Sequence, residues 1–225
     1  MIPQEHLVWR KILVGLVGSL LVSTVAEGAV ADTNALAPEP AALPPPPANN
    51  RFVQFGVAFT TEFVAGSGAL CSGNPLVVPH CILGSGAGLV FPRVGWRSPG
   101  HWYLGGAYEF SKQDASTLYL LPILQQLRAE ARYYFLEGHV GTPFVEGDLG
   151  VAGYGNEWTV DAYGPAVSLS FGIEAQISQT TVVGVSLAYR VIRFNGFVDS
   201  ASNARDAGFT QLLGLNVLLE ARDPY

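Results

Sequence analysis

Two sets of residues in this sequence could do chemistry. The first is a pair of cysteines, Cys71 and Cys81, the only two in the chain. Thiols carried into an oxidising compartment tend to pair. A Cys71–Cys81 disulfide is therefore expected, and loop-closure reasoning gives it up to about 3 kcal/mol. His80 stands beside Cys81, but two Cys and one His are one ligand short of a usual structural zinc site. No metal or other cofactor is expected; metal binding by these three residues is the alternative. The second set is Glu62, Arg93, Glu109, Arg128, Glu130, Arg132, Glu146, Asp148, Glu174, Arg190 and Glu220. These charges recur on the face opposite rows of apolar side chains. Ions on a dry face must be paired, so the set is expected to form an Arg–carboxylate network. If the space around it is open, its seven acids against four arginines predict mild cation preference in a narrow passive conduit for small solutes.

Catalysis is not expected. A Ser–His–acid or His–Asp arrangement would be needed for a lipid-modifying or proteolytic rim enzyme. His101 and His139 fall at expected short turns, and only His80 lies in a long loop, with Ser67 and Ser72 as nearby hydroxyls. The glycines form no phosphate loop, because none of them joins a strand to a helix start with a following Lys.

The elements that must position these residues are strands. Val53, Phe55, Val57, Phe59 and Phe63 alternate with small or polar residues. Successive strand side chains point to opposite faces, so this reads as one greasy and one small, polar face. The same period governs 102–111, 167–177, 183–191 and 213–219. Three further strands are less regular. In 144–154, Val145, Leu149 and Val151 stand opposite Phe144, Glu146, Asp148, Ala152 and Tyr154. In 86–97, Val90, Pro92, Val94 and Trp96 are placed on one face, and Leu89, Phe91, Arg93 and Gly95 on the other; Pro92 costs a ladder bond there. In 117–135, Tyr119, Leu121, Ile123, Leu127, Ala129, Ala131, Tyr133 and Phe135 fall together, although Leu124–Ala131 has helical propensity. The total is eight strands. Short connections follow strands two, four and six; long ones follow one, five and seven, the fifth over Gly155–Gly164.

Export is written at the start. Arg10 and Lys11 precede the apolar run Ile12–Val25, and a small-residue site ends at Ala31. This is the plan of a cleaved secretory signal peptide over 1–31. Residues 32–50, with the run ALPPPPANN, read as an extended Pro/Ala-rich linker. The barrel is placed at 51–225.

A soluble barrel shares the period of two, so composition must decide which face is outside. Only 13% of the chain is charged, against roughly 25% in an ordinary soluble domain. Lys112 is the only lysine beyond the expected cleavage site, so a charged exterior cannot be built. No apolar run reaches the roughly 18 residues of a spanning helix. The net charge of −6 and the lack of a basic run exclude a nucleic-acid partner. An all-β, eight-stranded antiparallel transmembrane up-and-down barrel fits, with apolar rows to lipid and charges in the lumen. Trp96, Trp102, Tyr133 and Phe135 are expected in one aromatic girdle, and Phe63, Phe110, Tyr119 and Phe194 in the other.

The stretch from Leu121-Pro122 through Arg132-Tyr133-Tyr134-Phe135, then Pro143-Phe144-Val145, Gly147 and Gly150-Val151-Ala152-Gly153, resembles a hairpin of the small outer-membrane β-barrel superfamily. That superfamily includes the OmpA, OmpX and OmpW types of porin-family barrel. The likeness covers about 51–222 and is architectural. It implies residence in the outer membrane, insertion by the barrel-assembly machinery, and contact with outer-membrane lipid and lipopolysaccharide. It also implies a structural or surface-interaction role, with a possible surface ligand bound through the long loops. The last strand departs from the pattern: it is expected to end near Ala221-Arg222, with Tyr225 after Asp223-Pro224, instead of on an aromatic residue. No peptidoglycan-binding domain of the OmpA type is expected.

Overall fold

The computed structural model describes residues 52–224 apart from 69, 99, 114–117, 137–140 and 179. The expected signal peptide and Pro-rich linker lie outside the described residues. The strands are β1 (Phe52–Ser67), β2 (Gly86–Arg97), β3 (Trp102–Gln113), β4 (Pro122–Tyr134), β5 (Gly141–Asn156), β6 (Ala162–Gln176), β7 (Thr181–Phe194), β8 (Phe197–Val198), β9 (Ala204–Arg205) and β10 (Gly208–Pro224). Eight of them close into one antiparallel barrel in the order β1-β10-β7-β6-β5-β4-β3-β2, and β8-β9 is a small separate hairpin. Closure leaves no sheet edge, the condition a strand must meet in lipid. Crossing the hydrocarbon takes about 9–11 residues of tilted strand; the shortest barrel strands here have 12. Among the described residues no helix is long and apolar enough to cross a membrane.

The period of two becomes the two faces of the wall. Phe55, Phe59 and Phe63 of β1, Leu169, Phe171 and Ile173 of β6, and Leu213, Leu215, Val217 and Leu219 of β10 are all exposed. Their alternates, such as Gln54, Ser170, Glu174 and Glu220, are buried in the lumen. This is the reverse of a water-soluble barrel.

Four expectations need correction. First, β2 changes phase at Pro92: the register shifts between Val90 and Arg93, so Leu89, Phe91 and Pro92 face outward and Val90 joins Arg93 in the lumen. A bulge inserts one residue and flips every side chain beyond it. Second, β4 starts at Pro122, so Tyr119 belongs to the preceding loop and is buried. Third, the β5–β6 connection is only Glu157–Asp161, since Gly155, Asn156 and Ala162–Gly164 extend the strands. Fourth, β10 runs on to Pro224, beyond the expected end at Ala221-Arg222. The connections after β1, β3, β5 and β7 lie at one end, the loop end. Those after β2, β4 and β6 lie at the other, the turn end, where Phe52 pairs with both Arg97 and Pro224.

Candidate functional site: the barrel interior and its loop cap

All eleven charges read from the sequence reach the interior, and ion pairs link them into one chain along the barrel. Near the loop end, Arg190 pairs with Glu62 at 2.5 Å and Glu109 at 3.0 Å. Glu62 also accepts hydrogen bonds from Ser111 Oγ at 2.5 Å and Gln113 Nε2 at 2.9 Å. Glu109 hands the chain to Arg128, which reaches Glu130 at 3.0 Å and Asp148 at 3.8 Å. Arg93 bonds Glu130 at 2.7 Å, Glu146, and Glu220 at 3.3 Å. Arg132 takes up Glu146 at 2.7 Å, Glu220 at 3.3 Å and Glu174 at 3.5 Å.

Glu174 ends the chain at the turn end with two partners the sequence reading missed. Arg97 lies 2.8 Å from it and Arg222 also pairs with it. Arg97 and Arg222 each stand at the end of an expected strand, where the apolar row gives no sign of a lumen position. The interior therefore holds seven carboxylates and six guanidinium groups in this network, close to balance. The expected excess of seven to four, and the cation preference built on it, loses its basis. Glu130, Glu146 and Asp148 lie close enough to hold a metal ion, but Arg93 and Arg128 occupy that region as counter-charges.

Glycine and aromatic residues make room for this packing. Gly95 and Gly105 pair across β2 and β3, and the Tyr103 side chain lies against both: a Cβ on Gly95 would fall 2.3 Å from its ring, and one on Gly105 2.2 Å from its hydroxyl oxygen. Arg132 sits over Phe144 at 4.2 Å and Arg97 over Tyr134 at 3.6 Å. The guanidinium groups thus have aromatic faces as well as carboxylates, a favourable desolvated pairing. Arg132 and Tyr134 are fully buried, so the turn end is filled. Further up, the space among Gln126, Arg128, Asp148, Ser168 and Arg190 has only about 10 Å³ of room for a water-sized sphere.

The loop end is closed differently. Leu70, Ile82, Leu83 and Tyr119 come down from loops onto Leu124, Tyr154, Ile192, Phe194 and Leu212 inside the barrel. Tyr119 and Phe194, expected in the outer girdle, belong to this apolar plug, and Tyr163, Phe209 and Trp158 are exposed on the outside instead. The plug has two polar fastenings: Tyr154 Oη donates to the carbonyl of Ile82 at 2.6 Å, and Tyr119 Oη donates to Asp161 at 2.6 Å. Burial first, then that bond to a carboxylate, raises the Tyr119 phenol above its ordinary range.

The expected Cys71–Cys81 disulfide is present. Its loop is tied to the β8–β9 hairpin by Arg205, whose Nη1 donates to the carbonyls of Pro79 at 2.7 Å and His80 at 2.8 Å. Arg205 Nε is held by Asp199 at 2.9 Å. Burial works against ionisation of Asp199, but backbone N–H groups of Asn203 and Ala201 and the Arg205 guanidinium outweigh it and hold its carboxyl low. His80 is exposed, and its carbonyl accepts from the Ser72 N–H at 2.9 Å; Ser72 Oγ accepts from the Asn74 N–H at 3.2 Å. His101 lies at the turn end with Nδ1 2.6 Å from the Tyr134 carbonyl oxygen, and His139 is outside the described residues.

These contacts give a prediction. Replacing both cysteines by Ser should leave the barrel folded but loosen the 71–81 loop. Limited proteolysis should then cut within this loop, with loss of up to about 3 kcal/mol of local stability. Alkylation of the unreduced native protein should add no mass.

No protein-family model matches the sequence, and no curated protein matches it. Among solved structures the chain is similar to Neisserial surface protein A, with a TM-score of 0.51 and 14% identity over 76% of this chain and 96% of that one. The fold is that of the small outer-membrane β-barrels. Weaker structural likenesses are to the outer membrane protein OprG from Pseudomonas aeruginosa (TM-score 0.46, 11% identity, 78% of this chain and 96% of that one) and to Ail, the attachment invasion locus protein of Yersinia pestis (TM-score 0.40, 10% identity, 78% and 99%). The exposed apolar rows found here form the outer wall of such a fold. The exposed Trp96 and Trp102 cluster with Tyr133 and Phe135 at its turn end, on the side formed by β2, β3 and β4, as interfacial aromatics do.

Proposed function

We propose that this protein is a closed outer-membrane barrel that serves as a rigid anchor and displays its loop end for structural or surface contacts. It is exported by a cleaved signal peptide and inserted by the barrel-assembly machinery. It is not a conduit and not an enzyme. One observation carries the reading: among the described residues, a continuous chain of buried ion pairs runs through the lumen from Glu62 to Arg97 and Arg222, with an apolar plug above it. A solute would have to break buried pairs whose separated ions cost several kcal/mol each. The 71–81 loop is closed on itself by the disulfide and tied to the β8–β9 hairpin by Arg205, which favours presentation of a fixed surface over gating.

Planar bilayers holding the purified full chain should show no conductance steps above baseline. Discrete channels at neutral pH would overturn the closed-anchor reading. On fractionation the protein should follow the outer membrane and show a heat-dependent mobility shift; recovery as a soluble periplasmic protein would remove the membrane assignment. Deletions within the 71–81 loop or the β8–β9 hairpin should abolish binding of a surface partner while the mobility shift persists.

A further inference from the structure

Among the described strand side chains that face outward, charge lies at one end of the wall only. Among the described outward-facing strand side chains, only Lys112 of β3 and Arg193 of β7 are charged. Both are basic, both are exposed, and each lies one residue from the loop end of its strand. Neither forms an ion pair with a described residue. At the turn end the arginines point inward to Glu174 instead. A cation on a barrel wall is costly at mid-membrane and nearly free at the interface, and there it attracts anionic headgroups.

Lys112 also stands in a groove of about 590 Å³. Phe59, Leu89 and Phe110 are neighbours in register across β1, β2 and β3 and form one border. Leu121, Ile123 and Trp158 form the other, and the small residues Ala87 and Gly88 leave the space between them. Trp158 comes from the β5–β6 loop but turns down over the wall, its ring 6.2 Å from Phe110. Apart from Lys112 the lining is apolar, so the groove suits a hydrocarbon chain with a negative head beside the ammonium.

We propose that this groove binds an acyl chain of a phosphate-bearing anionic lipid in the leaflet at the loop end, with the phosphate paired to Lys112. The flexible Lys stem can lie along the groove while its ammonium reaches the headgroup level. Trp158 covers the chain at the same depth, an interfacial position its ring favours. The proposal rests on the membrane reading above, and the test separates the two.

The full chain is placed in nanodiscs containing equal amounts of phosphatidylglycerol and phosphatidylcholine with identical acyl chains, released gently, and examined by native mass spectrometry. Wild type should retain phosphatidylglycerol about fivefold over phosphatidylcholine, the preference that one interfacial Lys confers. Lys112→Gln should bring the ratio close to one. Trp158→Ala should reduce retention of both lipids, and Arg193→Gln should leave the ratio unchanged. Each variant must keep its heat-dependent mobility shift, which none of these outward-facing positions should disturb. No preference in wild type, or a preference that survives Lys112→Gln, overturns the proposal. Failure of wild type to enter nanodiscs overturns the membrane reading instead. Inorganic phosphate should not displace the lipid; displacement would show a simple anion site and overturn the acyl-chain assignment.

Discussion

Arg132→Ala should lower the stability of the barrel by about 3–5 kcal/mol, the cost of stranding buried charge. Its side chain is wholly buried and faces Glu146, Glu174 and Glu220. Glu146 retains Arg93, and Glu174 retains Arg97 and Arg222. Glu220 keeps Arg93 at 3.3 Å and a hydrogen bond from Gln54. Truncation therefore leaves every carboxylate one counter-charge short at a site water reaches poorly. Urea titration in detergent, read by the heat-dependent mobility shift, measures the loss. The double change Arg132→Met and Glu220→Gln should recover most of it, because it removes one charge of each sign at similar volume and leaves Arg93 with Glu130 and Glu146. If the double variant is no more stable than Arg132→Ala, packing of the Arg132 stem on Phe144 outweighs its charge.

The same network shows how far the sequence could be read. The period of two marks all eight barrel strands, the outward rows other than that of β2, and the eleven interior charges, since a half-buried wall imposes strict alternation. Three misplaced residues had an unused signal in that alternation. Stepping by two from Glu220 places Arg222 inside; stepping from Arg93 through Gly95 places Arg97 inside; stepping from Arg190 through Ile192 places Phe194 inside. The strands simply run further than their apolar rows suggest. Leu89, Val90 and Phe91 failed for another reason. Alternation carried across Pro92 assumes an even ladder, and the bulge breaks it. The plug residues Leu70, Ile82, Leu83 and Tyr119 lie in loops, where no period exists and burial depends on contacts distant in sequence. Lys112 stands out in the sequence as the only lysine beyond the expected cleavage site, but the groove around it requires Trp158 to fold back from a different connection.

Gly105→Ala should be as damaging as many core truncations, although it adds a single methyl. The new Cβ would lie 2.2 Å from the Tyr103 hydroxyl oxygen and 2.7 Å from the Val94 carbonyl oxygen. Gly95, directly across the ladder, leaves the same ring as little room: its Cβ would lie 2.3 Å from two Tyr103 ring carbons. Tyr103 is fully buried and cannot swing outward, so the methyl must move the sheet or the ring. Overpacking of this kind costs about 1–3 kcal/mol, occasionally more. The ring also stands near Arg132 and Arg93, at 5.3 and 5.8 Å. Displacing it therefore disturbs the centre of the ion-pair chain as well as the wall. A double-mutant cycle separates the causes. If the clash with the ring dominates, Tyr103→Ala combined with Gly105→Ala should cost clearly less than the two changes summed. Additive costs would place the damage in the Val94 backbone contact. Either way the bare backbone at Gly95 and Gly105 is what allows a tyrosine to lie flat against the inner wall. The barrel can then fill its turn end with aromatic faces and charges without widening.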